Sequence, residues 1–344
     1  MTNPLLTEAI DALTRGTDLG SSQTGAILDE IMAGRVSEVQ ISAFLVGLRC
    51  KGETVDELIG LARTMRRLAE PVQVSRGPLV DTAGTGGGTP TFNISTTAAL
   101  IAAGAGCVTA KHGNRSATSS SGSADLLEAL GVRIDIDSED VGRCLERTGF
   151  GFMFAPRHHL ATRHVVPVRK ALGVGTIFNY LGPLTNPAGA SRQVVGVSDP
   201  SFQETVARAL AGLGTEEAMV VSSADGLDEL SVGAESTVIH VRGGELTTFT
   251  VTPEEVGLQR SAADALRGGE PADNAAITTA VLAGERGPHR DVALFNAAAA
   301  ATVGGLASGL AEGVDIAAEA VDSGAAQRVL DHLRIVTIEL ATAE

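Results

Sequence analysis

The spacing of apolar residues changes character near residue 71. Before it, Leu5, Leu6, Ile10 and Leu13 recur at helical spacing. Ser22 precedes AILDEIMAG, and Ser37-Glu-Val-Gln40 and Thr54-Val-Asp-Glu57 both have the form of a capping box. This predicts about four short helices over residues 1–70, closed by Glu70-Pro71. The run ISAFLVGLRC within them is unusually apolar and reads as core, with an oligomer contact as the alternative.

From Leu79 onward, short apolar runs alternate with helical patterns. LVDTAG reads as a strand entering a glycine loop, and ISTTAALIAAGAG as a helix capped near Asn93 or Ser95. CVTAK is a strand and SADLLEALG a helix. VRIDI leads into the Asp-capped helix SEDVGRCLERTG, and GFMFA is again a strand. RQVVGVS, PSFQETVARALAGL and AMVVSSADG continue as strand, helix and strand. STVIHVRGGELTTFTV predicts a hairpin turning at Gly243-Gly244. The last ninety or so residues are mostly Ala-rich helix. The fold class is therefore α/β: a small N-terminal helical domain over 1–70 and a large α/β domain over 75–344 with a mainly parallel central sheet.

Composition narrows the function. The formal net charge is −15, which argues against a general nucleic-acid or anionic-membrane surface. The window Ala293–Ala311 is broken by Asn296, Thr302, Ser308 and glycines, so it reads as a buried helix and not a membrane span. Three scattered cysteines, Cys50, Cys107 and Cys144, form no CxxC and fit a reducing cytoplasm. The N-terminus reads as an amphipathic helix and not a signal peptide.

Where the acids lie is more telling. Residues 82–124 hold none, and neither do 147–198, although the chain carries 41 in 344 residues. The second window holds Arg147, Arg157, Arg163, Arg169, Lys170 and Arg192, and the segment between, 125–146, holds seven acids. Such segregation is what an anion site in an acidic protein requires.

The first window contains the candidate chemistry. GTGGG (84–88) ends a strand, where glycines let backbone N–H groups close on a phosphate; no GK[ST] follows, so it is not a Walker loop. NIST (93–96) puts side-chain oxygens at a helix start, as a cap or as phosphate or metal ligands. KHGNRSATS (111–119) joins Lys111 and Arg115 to small hydroxyl residues, a phosphate-wrapping composition. APRHHLATRHVVPVRK (155–170) carries three histidines, but no cysteine or carboxylate is near, so a cationic wall for an anion suits it better than zinc. In ADGLDELS (224–231), Asp228 and Glu229 follow a strand and are suited to magnesium, because hard cations take oxygen donors.

Taken together, GTGG…FNIST, KHGNR…SSSGSADLLEALG, GTIFNYLGPLTNP and DGLDE, in this order, resemble the anthranilate phosphoribosyltransferases, and AFLVGLRCKGET looks like that family's N-terminal signature. The resemblance covers almost the whole chain. It implies a pentosyltransferase that moves phosphoribose from phosphoribosyl pyrophosphate (PRPP) to anthranilate in tryptophan biosynthesis, with Mg2+. It also implies the nucleoside phosphorylase/phosphoribosyltransferase-like fold, with helices from about 170–190 packing on the helical domain, and a homodimer formed through that domain.

By motif, the PRPP-binding residues would be Gly84, Gly87, Gly88, Thr91, Asn93, Ile94, Ser95, Thr96, Lys111, His112, Gly113, Asn114, Arg115, Ser116, Ala117, Thr118, Ser119 and Ser123. Anthranilate would meet Gly84, Asn114, Pro156, His159 and Arg169, and Mg2+ would meet Ser95, Asp228 and Glu229. An aromatic amine is already neutral at pH 7, so no acid or base is assigned; His112 is the one candidate within the cradle. The alternatives are a pyrimidine nucleoside phosphorylase, whose phosphate loop differs from KHGNR, and a non-catalytic nucleic-acid-binding relative, which should be basic and lack the paired acids. One departure stands out. Where the family reads GTGGD, this chain has Gly88, with one residue fewer before FNIST. Altered magnesium dependence is the expected consequence.

Overall fold

The computed structural model describes residues 2–116 and 120–342. Ala117, Thr118 and Ser119, assigned above to PRPP, lie outside the described residues. Four helices open the chain: α1 (Pro4–Thr14), α2 (Ser21–Met32), α3 (Glu38–Lys51) and α4 (Val55–Leu68). Of the two capping boxes expected, the one at Thr54 closes fully, whereas at Ser37 only the N-cap bond forms, because the Gln40 side chain pairs with Asn3 instead. Ser37 accepts from the N–H of Gln40, and Thr54 exchanges bonds with Glu57. Glu57 does more than cap: its buried carboxylate also accepts from the N–H of Leu19 and from Lys51. In ISAFLVGLRC, Ile41, Phe44, Leu45 and Leu48 are core, whereas Val46 is exposed.

The α/β part follows as β1 (Leu79–Gly84), α5 (Ile94–Gly104), β2 (Val108–Gly113), α6 (Ser123–Ala129), α7 (Ser138–Thr148) and β3 (Phe150–Phe154). Next come α8 (Ala155–His158), α9 (Val166–Leu172), α10 (Phe178–Leu184), β4 (Arg192–Gly196), α11 (Gln203–Gly212) and β5 (Glu217–Ser223). The hairpin β6 (Ser236–Arg242) and β7 (Glu245–Val251) precedes α12 (Pro271–Leu282), α13 (Pro288–Val303), α14 (Leu310–Asp322) and α15 (Ala325–Ala341). The hairpin turns at Gly243-Gly244, both at positive φ. VRIDI pairs with no strand among the described residues: Val132, Ile134 and Ile136 are buried alternately, but the segment leads outside the sheet into α7, whose N-cap is Asp137.

One seven-stranded sheet runs in the order β3-β2-β1-β4-β5-β6-β7, parallel from β3 to β5 and antiparallel at the hairpin. Two cores cover its faces. In one, the helical bundle joins Val168 of α9, Phe178, Leu181 and Leu184 of α10, Val206 and Leu210 of α11, and Val195 and Val220 of the sheet. In the other, α5 and α12–α15 pack on the opposite face. Alanine lets these helices approach closely. α13 is buried from Val292 to Val303, and a Cβ on Gly313 of α14 would come within 2.7 Å of the Ala298 carbonyl.

The strand order fixes where a ligand belongs. The chain winds from β1 outward to β3, then returns to place β4 on the other side of β1. The topological switch lies between β1 and β4, and in open α/β sheets the crevice at the carboxyl ends of such strands is the usual binding place.

Candidate active site

β1 and β4 end in register on a glycine each, Gly84 opposite Gly196. The turn after β5 lies directly across these two ends. A Cβ on Gly196 would come within 1.5 Å of the Asp228 carbonyl oxygen, and one on Gly84 within 2.3 Å of the Asp228 carboxylate. Only glycine fits at either strand end. The glycine loop after β1 is bonded to the acid turn: Gly86 N–H donates to Asp228 Oδ2 at 2.8 Å, Thr89 N–H to the Gly226 carbonyl at 3.2 Å, and the Thr89 hydroxyl to the Asp225 carbonyl at 3.1 Å. Gly88 sits in this contact. A Cβ there would lie 2.6 Å from the Gly226 carbonyl and 3.4 Å from Asp228 Oδ1.

Behind the loop stands the start of α5. Asn93 occupies the N-cap position without capping. Its carboxamide instead donates to the Ser121 carbonyl and accepts from the Ser121 hydroxyl and from Asn274, at 2.9–3.0 Å. Ile94 N–H donates to the Phe92 carbonyl, which leaves the N–H groups of Ser95 and Thr96 uncapped by Asn93 at the positive end of the helix dipole. Ile94 and Thr96 are buried, and the Thr96 hydroxyl has no partner among the described residues. Thr91 bonds its hydroxyl to the Phe92 carbonyl.

Lys111 on β2 is 2% exposed, and its ammonium donates to the Thr82 carbonyl at 2.6 Å and reaches Ser95 Oγ at 3.4 Å. Burial pushes it down to about 8, opposed by Asp81 and Glu229, so it still carries charge at pH 7. Glu229 sits beside Asp228 at the same spot; burial first, then repulsion from Asp228, holds its carboxyl well above the usual range. Ser95, Asp228 and Glu229 line one small cavity of about 10 Å3 together with Thr82, Gly196 and Asn296. The residues proposed from sequence as metal ligands thus converge from two separate segments, the start of α5 and the turn after β5. Two carboxylates and a hydroxyl form a hard oxygen donor set that fits magnesium.

The second loop departs from its expected role in part. Arg115, expected to offer charge to an anion, is ion-paired with Asp125 and Glu128 at 2.9 and 2.5 Å, and lies over the Phe154 ring. Asp125 also accepts from the N–H groups of Ser116 and Gly122 and so folds the loop back on α6. Asn114 pairs its backbone with the Ser123 hydroxyl, and a Cβ on Gly113 would meet that hydroxyl at 2.2 Å.

His112 does not qualify as a base. Its ring is buried, with Nδ1 3.1 Å from the Gly182 carbonyl, and burial and the neighbouring His159 push it down to about 3. A ring that weakly basic has little power to take a proton at pH 7.

The cationic window is also partly spent. Arg147 pairs with Glu339, Arg157 with Asp135 and Arg192 with Glu216. Arg169 is different. Half-buried on α9, it lies 5.4 Å from the Phe178 ring centroid and donates to Asn179 at 3.3 Å; no carboxylate pairs with it among the described residues. His159 is buried and Pro156 exposed, both just beyond β3.

Three further residues matter here, of which only Asn186 falls within a motif, GTIFNYLGPLTNP. Asn186 donates to both Asp81 and the Ala110 carbonyl, tying β1 to β2. Ser198 donates to the Gly86 carbonyl at 2.8 Å. Asn296 reaches the acid turn from α13. A strand ending in glycine beside another that does so was the one available signal for Gly196.

The comparisons agree with this architecture. Residues 7–69 match the glycosyl transferase family helical bundle domain, and residues 76–327 its a/b domain. The anthranilate phosphoribosyltransferase of Symbiobacterium thermophilum is 50% identical over 329 residues, covering 95% of this chain and 96% of that one. That of Thermomicrobium roseum is 48% identical over 345 residues, covering 99% of both. Among solved structures, the Thermus thermophilus enzyme superposes with a TM-score of 0.90 at 44% identity, covering 96% of this chain and 99% of that chain. The Saccharomyces cerevisiae enzyme in complex with PRPP and Mg also superposes with a TM-score of 0.90, at 29% identity, covering 98% and 99%. With the helical bundle, the switch-point glycines and the paired acids all in place, this chain belongs to the anthranilate phosphoribosyltransferase family of glycosyl transferases.

Proposed function

We infer that this protein transfers the 5-phosphoribosyl group of PRPP to the amine of anthranilate, releasing pyrophosphate. The observation that carries the reading is the convergence, at the β1/β4 switch point, of a glycine loop, an uncapped helix start with Lys111 beside it, and the Asp228–Glu229 pair. One end of such a site binds a polyanion, and the other supplies oxygen ligands to a cation.

In the reaction the bond from the anomeric carbon to a pyrophosphate oxygen breaks, and a nitrogen–carbon bond forms. Charge builds on the leaving oxygens, and the barrier falls where that charge is met. Lys111, the first-turn N–H groups of α5 and the glycine-loop amides meet it. Ser95, Asp228 and Glu229 would hold Mg2+, which when bound neutralises pyrophosphate charge. Asn93, its carboxamide already engaged, orders the helix start. Arg169 pairs with the anthranilate carboxylate and, with Asn114, holds the amine in line. The amine attacks through its lone pair and then loses its proton to solvent, so no side chain need act as a base.

Two finer features belong to the same reading. The chain works in the cytoplasm; no helix among the described residues is long and apolar enough to cross a membrane. It pairs as a homodimer through the helical domain, where Val39 and Val46 of α3, together with Leu160 and Val166, present exposed apolar surface. The primary test follows the fall of anthranilate fluorescence with PRPP and Mg2+ present. Turnover that needs all three components is expected, and no loss of fluorescence with the complete mixture would overturn the assignment.

A further inference from the structure

Asn296 lies mid-way along α13, far in sequence from every motif, and is 4% exposed. Its carboxamide is fully used. Oδ1 accepts from the N–H of Leu230 at 3.0 Å, and Nδ2 donates to the carbonyls of Leu230 and Val292, both at 2.9 Å. The side chain thereby pairs with Leu230 as a neighbouring strand would, exchanging one donor and one acceptor. Leu230 follows Glu229, so the peptide bond joining them is gripped at both ends: its N–H by Asn296, and its carbonyl by the Ser223 hydroxyl at 2.5 Å. The Leu230 side chain is wholly buried, and Ser223 is itself steadied by Ser236 at 2.7 Å.

These contacts are aimed at the site. Asn296 lines the same cavity as Ser95, Asp228 and Glu229, and α13 packs along α5, whose first turn carries Ser95. One helix therefore touches both sides of that cavity. When both carboxyls are ionised, as a bound cation requires, they repel each other, and a turn held only by its own backbone would relax by splaying them. A bidentate grip on the next residue resists that movement.

We propose that Asn296, with Ser223, is a positioning clamp that fixes the Glu229–Leu230 peptide so that Asp228 and Glu229 face Ser95 ready to accept a divalent cation. The inference rests on the assignment of those three residues as the metal site. Neither clamp residue touches the cation or the substrates; they act through the backbone. Outer partners of this kind typically change metal affinity by about 10–100-fold.

The test is the magnesium gain: PRPP affinity by calorimetry on the full chain with excess Mg2+, divided by its affinity in EDTA, with no anthranilate present. Asn296→Ala and Ser223→Ala are compared with Asp228→Asn. The expected result is a gain reduced by about tenfold or more in both clamp variants, with affinity in EDTA within about twofold of the parent. Asp228→Asn should abolish the gain. A clamp that merely satisfied buried backbone would lower the melting temperature and leave the gain untouched. That outcome, with Asp228→Asn losing the gain, overturns the inference and leaves the metal assignment standing. Retention of the full gain by Asp228→Asn would overturn the metal assignment instead. Should Asn296→Ala fail to fold, Ser223→Ala decides: a reduced gain supports the clamp, and an undiminished one refutes it.

Discussion

Acidification should destabilise this protein through two buried histidines. The rings of His112 and His159 lie 5.1 Å apart between centroids, and the Nε2 of each lacks a hydrogen-bond partner among the described residues. Burial, then repulsion from His159, pushes His112 down to about 3. Burial, then repulsion from His158, pushes His159 down to about 4. In the unfolded chain both titrate near 6.5. Below that pH the unfolded state takes up protons that the folded state refuses. Their contribution is therefore complete above pH 6.5 and is lost as pH falls toward the folded values.

At pH 5 each ring lies about 1.5 units below its unfolded pKa, which costs about 2 kcal/mol per ring and about 4 for the pair. Asp81 acts in the opposite sense. Burial raises its carboxyl to about 6, so it favours the folded state as pH falls and gives back about 1 kcal/mol by pH 5. For these three groups together the loss between pH 7 and 5 is about 3 kcal/mol, a large share of the roughly 5–15 kcal/mol that holds a typical domain folded. Urea unfolding followed by circular dichroism across this range measures it. His112→Asn isolates the cause, because its amide can still donate to the Gly182 carbonyl but cannot take up a proton. The variant is expected to be less stable at pH 7 through lost packing, yet to lose about 2 kcal/mol less than the parent on going to pH 5. An equal pH-dependent loss in both proteins would refute the reasoning.

Other substitutions test the site. Gly196→Ala puts a methyl group where the Asp228 carbonyl oxygen stands 1.5 Å away; the acid turn must lift, with about 1–3 kcal/mol of destabilisation and about a 100-fold loss of kcat/KM. A variant with parental turnover and melting temperature would show that the turn does not need its place. Gly88→Asp restores the carboxylate usual in the family, but its Cβ meets the Gly226 carbonyl at 2.6 Å; a shifted loop and a changed magnesium titration should follow, and superimposable titrations would count against this. Arg169→Ala should raise the KM for anthranilate far more than that for PRPP, and equal rises would remove Arg169 from the anthranilate side.

What was legible in the sequence was whatever depends on local chemistry. Capping at Ser37 and Thr54, the Gly243-Gly244 hairpin and the strand–helix alternation each need only a few neighbouring residues, and the structure contains them all. VRIDI marks the limit. Its alternation correctly reports a segment with one buried face, because Val132, Ile134 and Ile136 are buried. Period two, however, says nothing about whether a neighbouring strand is within bonding reach, and among the described residues VRIDI pairs with none.

Charge segregation misled for a related reason. Residues 82–124 have no acids in the linear sequence, yet Arg115 is neutralised by Asp125 and Glu128, which lie one helix turn past the boundary. Arg157 finds its partner in the acidic segment between the windows, at Asp135, while Arg147 and Arg192 find theirs at Glu339 and Glu216. Lys111, sheltered by the sheet, and Arg169, sheltered by an aromatic ring, are among the positive charges left without a carboxylate partner among the described residues. The site residues could be named from motifs because ligand chemistry restricts residue type. Their orientation could not, because it is set by groups with no such restriction: a glycine that lets a turn approach, and the carboxamide of Asn296, which binds backbone and is invisible until the helix carrying it is packed. The motif thus specifies what can bind, while unmarked residues on distant elements decide whether the binding groups converge.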